Sequence, residues 1–158
     1  MADRPLPLVC PPLAVRVRGI ADARAALAVA REMAATDAPC DAVWLIADAG
    51  AAALAGPAWW AALVDALTAE FPDIPFIPVL DCGSAAGAVL ASVREGCRHV
   101  AFSGREDVWD RLASIIRAAG GQLYRPGDLP PAANLRWARD RVARLRAIVA
   151  ETRQTGGM

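Results

Sequence analysis

The chain has 158 residues, 56% of them hydrophobic, and its 17 basic and 17 acidic residues give a formal net charge of zero. That length fits one domain with a proper core, the apolar share excludes a largely disordered chain, and the balanced charge gives no whole-chain electrostatic case for nucleic acid or a membrane surface. Every basic residue is arginine, so a P-loop, a Schiff-base aldolase, a pyridoxal phosphate lysine and a kinase-type lysine are excluded; with His99 the one histidine, so are multi-histidine metal sites.

Residues 1–12 are proline-rich and read as an extended segment without the apolar core of a signal peptide. No run approaches the roughly 18 apolar residues of a membrane span, so a cytoplasmic location is expected. Cys10, Cys40, Cys82 and Cys97 show no CxxC spacing and read as free thiols.

Leu13–Arg18 alternates, with Leu13, Val15 and Val17 on one side and Arg16 and Arg18 on the other, which predicts a strand with a wet face or an edge position. Gly19 turns the chain and Asp22 is placed to cap a helix over Ala23–Thr36, with Ala26, Leu27, Ala30, Met33 and Ala34 as its buried stripe. Asp37-Ala38-Pro39 ends that helix, and Ala42–Ala47 is a second buried strand followed by Asp48-Ala49-Gly50. Residues 51–56 read as a loop or loose helical turn. Pro57 opens a helix running to Phe71, with Trp59, Leu63, Leu67 and Phe71 as its stripe.

The central unit is Phe76–Gly104. The dense apolar run Phe76, Ile77, Val79 and Leu80 is a strand, interrupted by Pro78, and Asp81-Cys82-Gly83-Ser84 turns it into a helix that Ser84 is placed to cap and Gly96 to close. His99–Phe102 is the next strand, so the unit reads as a right-handed βαβ crossover with parallel strands. Arg105–Ala119 is amphipathic, with Val108, Leu112, Ile115 and Ile116 facing inward, and Gly120-Gly121 ends it. Gln122–Tyr124 is a short fifth strand, residues 125–131 are a linker, and Ala132–Arg153 is a long final helix.

This alternation predicts an α/β fold: one three-layer domain over residues 13–125 with a mainly parallel sheet of four to five strands, flavodoxin-like or receiver-like, followed by a linker and a C-terminal amphipathic helix over 126–158. A flavodoxin-like order places the first strand near the centre. The Arg16 and Arg18 alternation points instead to an edge, which leaves a sequential, half-barrel-like order open.

Residues 72–119, PDIPFIPVLDCGSAAGAVLASVREGCRHVAFSGREDVWDRLASIIRAA, resemble the last third of a response-regulator receiver domain in their PDIP lead-in, the helix ending in REGC, the strand and the closing amphipathic helix. The resemblance implies a flavodoxin-like fold but not the phosphorylation chemistry. Ile46 stands near the acceptor aspartate's position with Asp48 two residues on, Asp81 near the hydroxyl position, and Ser103 where the lysine belongs. The acidic pair after the first strand is missing, so the resemblance implies a receiver-like domain that is not phosphorylated.

In a parallel sheet, ligands sit at the carboxyl ends of the strands. The turns there collect Asp48, Asp81, Cys82, Gly83, Ser84, Ser103, Gly104 and Arg105 as a candidate site for a phosphate- or carboxylate-bearing small molecule. Cys82 near a helix start is a candidate low-pKa thiol, and Asp81 a candidate base or cation ligand. Structural readings stand beside these: turn glycines and serines turn and cap, and a free cysteine is a small core residue. No cofactor or metal is expected.

In the final helix, Leu135, Ala138, Val142, Leu145 and Val149 alternate spacings of three and four, a narrow apolar seam flanked by arginines. It serves equally for packing on the chain's own sheet or for pairing with a second copy, as a homodimer, or with another protein; nucleic-acid binding is disfavoured because Trp137 is the lone interleaved aromatic. The functional expectation is a non-catalytic cytoplasmic regulatory or protein-interaction domain that self-associates through this helix, with the small-molecule site at the strand ends as the alternative. Deletion of residues 133–158 is then expected to leave a folded, stickier monomer.

Overall fold

The computed structural model describes residues 12–36 and 41–155. Segment 1–11, Cys10, Cys40 and the Asp37-Ala38-Pro39 breaker lie outside the described residues, as does the tail from 156. The elements run β1 (Ala14–Val17), α1 (Ile20–Ala34), β2 (Val43–Ala47), α2 (Ala51–Leu54), α3 (Pro57–Glu70), β3 (Phe76–Asp81), α4 (Ala86–Arg94), β4 (His99–Ala101), α5 (Glu106–Ala118), β5 (Gln122–Tyr124), a 3-10 turn (Pro126–Asp128) and α6 (Arg141–Thr155). The fold is α/β, and all five strands are parallel in the order β1-β2-β3-β4-β5. The first strand therefore sits at an edge, as its arginine alternation indicates, and the order is the sequential one.

Sequential right-handed crossovers return every helix to the same side of a sheet. The core follows that rule. Val15, Val17, Leu45, Leu80, Val100 and Leu123 share one apolar cluster with the buried faces of α1 to α6. The alternate strand residues Ala14, Ile46, Val79 and Ala101 form a second cluster on the opposite face. That face is covered by Trp44, Ile77 and Tyr124 and by Leu129 and Ala132 of the segment containing the 3-10 turn, which makes a thin third layer.

The segment after β5 is more than a linker. Ala133 pairs in parallel with Val15: its N–H donates to Ala14 O at 2.8 Å and its carbonyl accepts the Arg16 N–H at 2.9 Å. The outer edge of β1 is thereby closed. The predicted helix over Ala132–Arg153 begins only at Arg141, because residues 132–134 are spent on this pairing. Asp140 marks the real start: its Oδ1 accepts the Ala143 N–H at 2.9 Å, an N-cap contact.

Smaller departures have packing causes. Trp60, rather than Trp59, is the tryptophan of α3 that enters the core, at 1% exposure. Ile115 of α5 is 43% exposed, and Ala34 at the end of α1 is exposed. Asp22 lies inside the first turn of α1 rather than capping it, and Ser84 makes no capping bond, since α4 begins two residues later.

Candidate functional site

The carboxyl ends of the strands bring Asp48, Asp81, Gly83, Ser84, Ser103, Gly104 and Arg105 to one rim of the sheet. Alternation along β3 decides where the two sharpest candidates go. Asp81 shares the face of Ile77 and Val79; Cys82, one residue on, turns to the helix side.

Asp81 is 7% exposed, and its Oδ1 accepts two backbone N–H groups, from Gly50 at 3.0 Å and from Gly83 at 2.8 Å. The carboxylate thus pins the loop after β2 to the turn after β3. Both glycines need their freedom, with φ of 69° and 55°, and the Cα of Gly50 lies 4.0 Å from the Cβ that a side chain at 83 would carry. Ser103 N–H donates to Gly83 O at 2.8 Å and draws the turn after β4 into the same knot. Three of the N–H groups that an anion at this rim would use are therefore already spent inside the fold. Gly104 packs so tightly that an added Cβ would stand 2.4 Å from the Phe102 ring and 2.8 Å from Ser84 O.

Cys82 does not carry the expected low-pKa thiol. It is 2% exposed, its Sγ lies 3.3 Å from Ser92 Oγ, and burial pushes the thiol up to about 11, with the Asp81 charge adding to the shift. Ser92 in turn donates to Ala88 O at 2.7 Å. Cys97 is likewise buried and raised to about 11. Neither thiol is a nucleophile at neutral pH.

The remaining charges pair locally. Arg105 closes on Asp107 two residues away at 2.9 Å, Arg18 meets Asp48 at 3.4 Å, and Arg125 forks onto Glu106 while stacking 4.1 Å over the Trp109 ring. Ser84 and Ser103 are exposed. A sequential sheet also has no point where strand order reverses, and that reversal is what opens a ligand crevice in doubly wound folds. Among the described residues, no group of three or more His, Cys, Asp and Glu is placed to hold a metal ion, and no helix is long and apolar enough to cross a membrane.

The C-terminal seam is drawn inward. Leu135 and Leu145 are 1% and 0% exposed within the chain's own core, and Ala138, Val142 and Val149 are half-buried against it. The residue between, Trp137, is 87% exposed. Its loop is held from both sides. Arg18 donates to Asn134 Oδ1, which also accepts the Arg136 N–H at 3.0 Å; the Ala138 N–H donates to Leu135 O at 3.0 Å; and the Arg136 guanidinium lies 5.2 Å from the Trp137 ring centroid. Sequence pattern missed this feature because a continuous helix assigns Trp137 to an ordinary solvent face.

On the second sheet face, His99 Nδ1 and Tyr124 Oη are 2.9 Å apart, Tyr124 Oη donates to Gln122 Oε1 at 3.3 Å, and the Tyr124 ring meets Trp44 edge-on at 5.8 Å. Burial lowers the His99 pKa and raises that of Tyr124. No protein-family model matches the chain, and no curated protein matches it.

Proposed function

We propose that this domain works through contact with another protein and performs no chemistry of its own. The observation that carries this reading is Trp137: a tryptophan left 87% exposed on a loop that is anchored rather than loose, with Leu135 buried beside it and Arg136 against its ring. Tryptophan and arginine dominate the residues that supply binding energy at protein interfaces. A large aromatic side chain buries about 150–250 Å² on docking, a gross gain of about 4–6 kcal/mol before ordering costs. Here those costs are small, because the loop's hydrogen bonds already fix it. The strand-end rim supports the same reading from the other side, since the Asp81 carboxylate and the Gly50, Gly83 and Ser103 N–H groups are used to hold the turns together.

The test is affinity capture from the source cells with wild-type and Trp137→Ala protein as bait, alongside thermal melts of both. A protein retained by wild type and lost with Trp137→Ala, at equal melting temperature, supports the reading. Equal capture by both baits removes Trp137 from any interface and the reading with it.

A further inference from the structure

The two edges of the sheet are treated differently. Ala133 closes β1, whereas β5 ends the sheet on the other side. Gln122 N–H donates to Arg98 O at 2.7 Å and Tyr124 O accepts from Phe102 N–H at 3.0 Å, so the backbone groups of residues 122 and 124 face β4 and those of Leu123 between them face outward. Along this edge runs a groove of 380 Å³, lined by Trp109, Ala113 and Arg117 of α5 and by Gly121, Gln122 and Leu123.

The helix beside that groove, which contributes Ala113 and Arg117 to its lining, has a polarity. Residues 106, 110, 113 and 117 share one stripe of α5 at spacings of four, three and four. The stripe is acidic at its start, with Glu106 and Asp110, small at Ala113, and basic at its end, with Arg117. All three charged positions are exposed. A stripe of this kind is complementary to itself turned end for end. A two-fold axis perpendicular to the sheet, passing near Leu123 and between residues 110 and 117, sets Arg117 of each copy against Asp110 of the other. It also lets Ala113 meet Ala113 where a larger side chain would hold the helices apart. The same axis makes β5 antiparallel to its symmetry mate, with the N–H and C=O of each Leu123 serving those of the other, a hydrogen-bonded pair.

We infer that a second copy of this chain docks on the β5–α5 edge, antiparallel about Leu123, and continues the sheet from five strands to ten. The occupant is a second copy because the charge pattern of α5 matches its own reverse. Arg125, paired to Glu106, stacks on Trp109, one of the residues that line the groove. The inference shares with the proposed function the idea that the domain works through protein contacts, but it does not involve Trp137.

The test is sedimentation velocity on the full chain at about 50 μM, where a micromolar dimer is populated. Arg117→Asp alone sets Asp against Asp110 twice and is expected to weaken the dimer at least about tenfold; Asp110→Arg alone does the same with arginines. An equimolar mixture of the two variants restores the dimer as a heterodimer, and the double variant restores it as a homodimer. Both substitutions are on exposed helix positions, and melts check that each variant folds. A monomeric wild type, a dimer indifferent to both single changes, or single variants that stay monomeric when mixed would each overturn the inference. Trp137→Ala leaves the dimer intact, so a partner lost there and a dimer lost here are separate results.

Discussion

Arg141 reaches back across 119 residues of chain to donate its Nε–H to Asp22 Oδ1 at 2.7 Å. The carboxylate is 5% exposed and the arginine 41%, and Asp22 Oδ2 accepts the Arg18 N–H at 3.0 Å. One buried acid thus ties the start of α6 to the turn between β1 and α1. With Arg146 paired to Glu32 at 2.6 Å further along, α6 is fastened to both ends of α1.

Arg141→Ala leaves Asp22 buried with one charged partner fewer. The expected cost is about 1–3 kcal/mol, the desolvation of a group whose bond is removed. At this chain length that lowers the melting temperature by about 2–4 °C per kcal/mol. A melt within a degree of wild type would show that water replaces Arg141 at no cost.

Gly121 is fixed by a close approach rather than by its dihedral angles. An added Cβ would lie 2.2 Å from Arg98 O, a backbone atom that cannot rotate away. Gly121→Ala is therefore expected to push β5 off β4 and cost about 1–3 kcal/mol. Gly127→Ala, with nothing within 4 Å of its Cβ, is the control and should fall within about 0.5 kcal/mol of wild type. Urea unfolding of the pair reads the difference; equal midpoints would mean that the turn relaxes freely.

Cys82 and Cys97 make stability fall in alkali. Burial holds both thiols at about 11 in the folded chain, against 9.0 for an ordinary thiol. The folded state keeps its protons where the unfolded state loses them. The thiol contribution is complete below pH 9 and drains away as pH rises through 11, by about 3 kcal/mol per thiol. Cys82→Ala with Cys97→Ala should flatten that alkaline slope. A slope unchanged in the double variant would assign it to other groups.

How much of this was legible in the sequence depends on the element. The β2 and β3 runs declare themselves by apolar density, and Arg16 and Arg18 placed β1 at an edge because charges on one face of a strand need water. The C-terminal segment misled because Leu135, Ala138, Val142, Leu145 and Val149 keep helical spacing through a stretch that is not helical. Leu135 reaches the core by way of the Ala133 pairing, a long-range contact with no local signature. Asp140, an N-cap type before Arg141, was the available signal. The parallel sheet sets these turns at one end, and one further step of sequence reasoning places Cys82. Alternation from Leu80 puts it on the helix-covered face, where a thiol is buried and inert.

Tyr124 joins the second face of the sheet into one polar chain. Tyr124→Phe removes the hydroxyl that meets His99 Nδ1 and donates to Gln122 while keeping the ring against Trp44. The expected loss is about 1–2 kcal/mol, since a half-buried imidazole nitrogen is left without its partner. Nuclear magnetic resonance of the His99 ring provides a readout independent of stability: its chemical shifts and titration should move in the variant. An unchanged titration would mean that the Tyr124 hydroxyl and His99 are not coupled in solution.

Deletion of residues 133–158 separates the two roles open to the C-terminal segment. If its apolar seam served a partner, the remainder would stay folded as a stickier monomer. In the structure the deletion instead strips the Ala133 pairing from β1, takes Leu135 and Leu145 out of the core, and leaves Asp22 without Arg141. Two fully buried leucines alone carry about 3–6 kcal/mol of transfer free energy, comparable to the whole stability of many domains. The truncated chain is therefore expected to lose its cooperative melt and to aggregate. The milder Leu145→Ala, costing about 2–5 kcal/mol, should show the same direction with the fold retained. A truncated chain that melts cooperatively near the wild-type temperature would place α6 outside the core and return the seam to an intermolecular role.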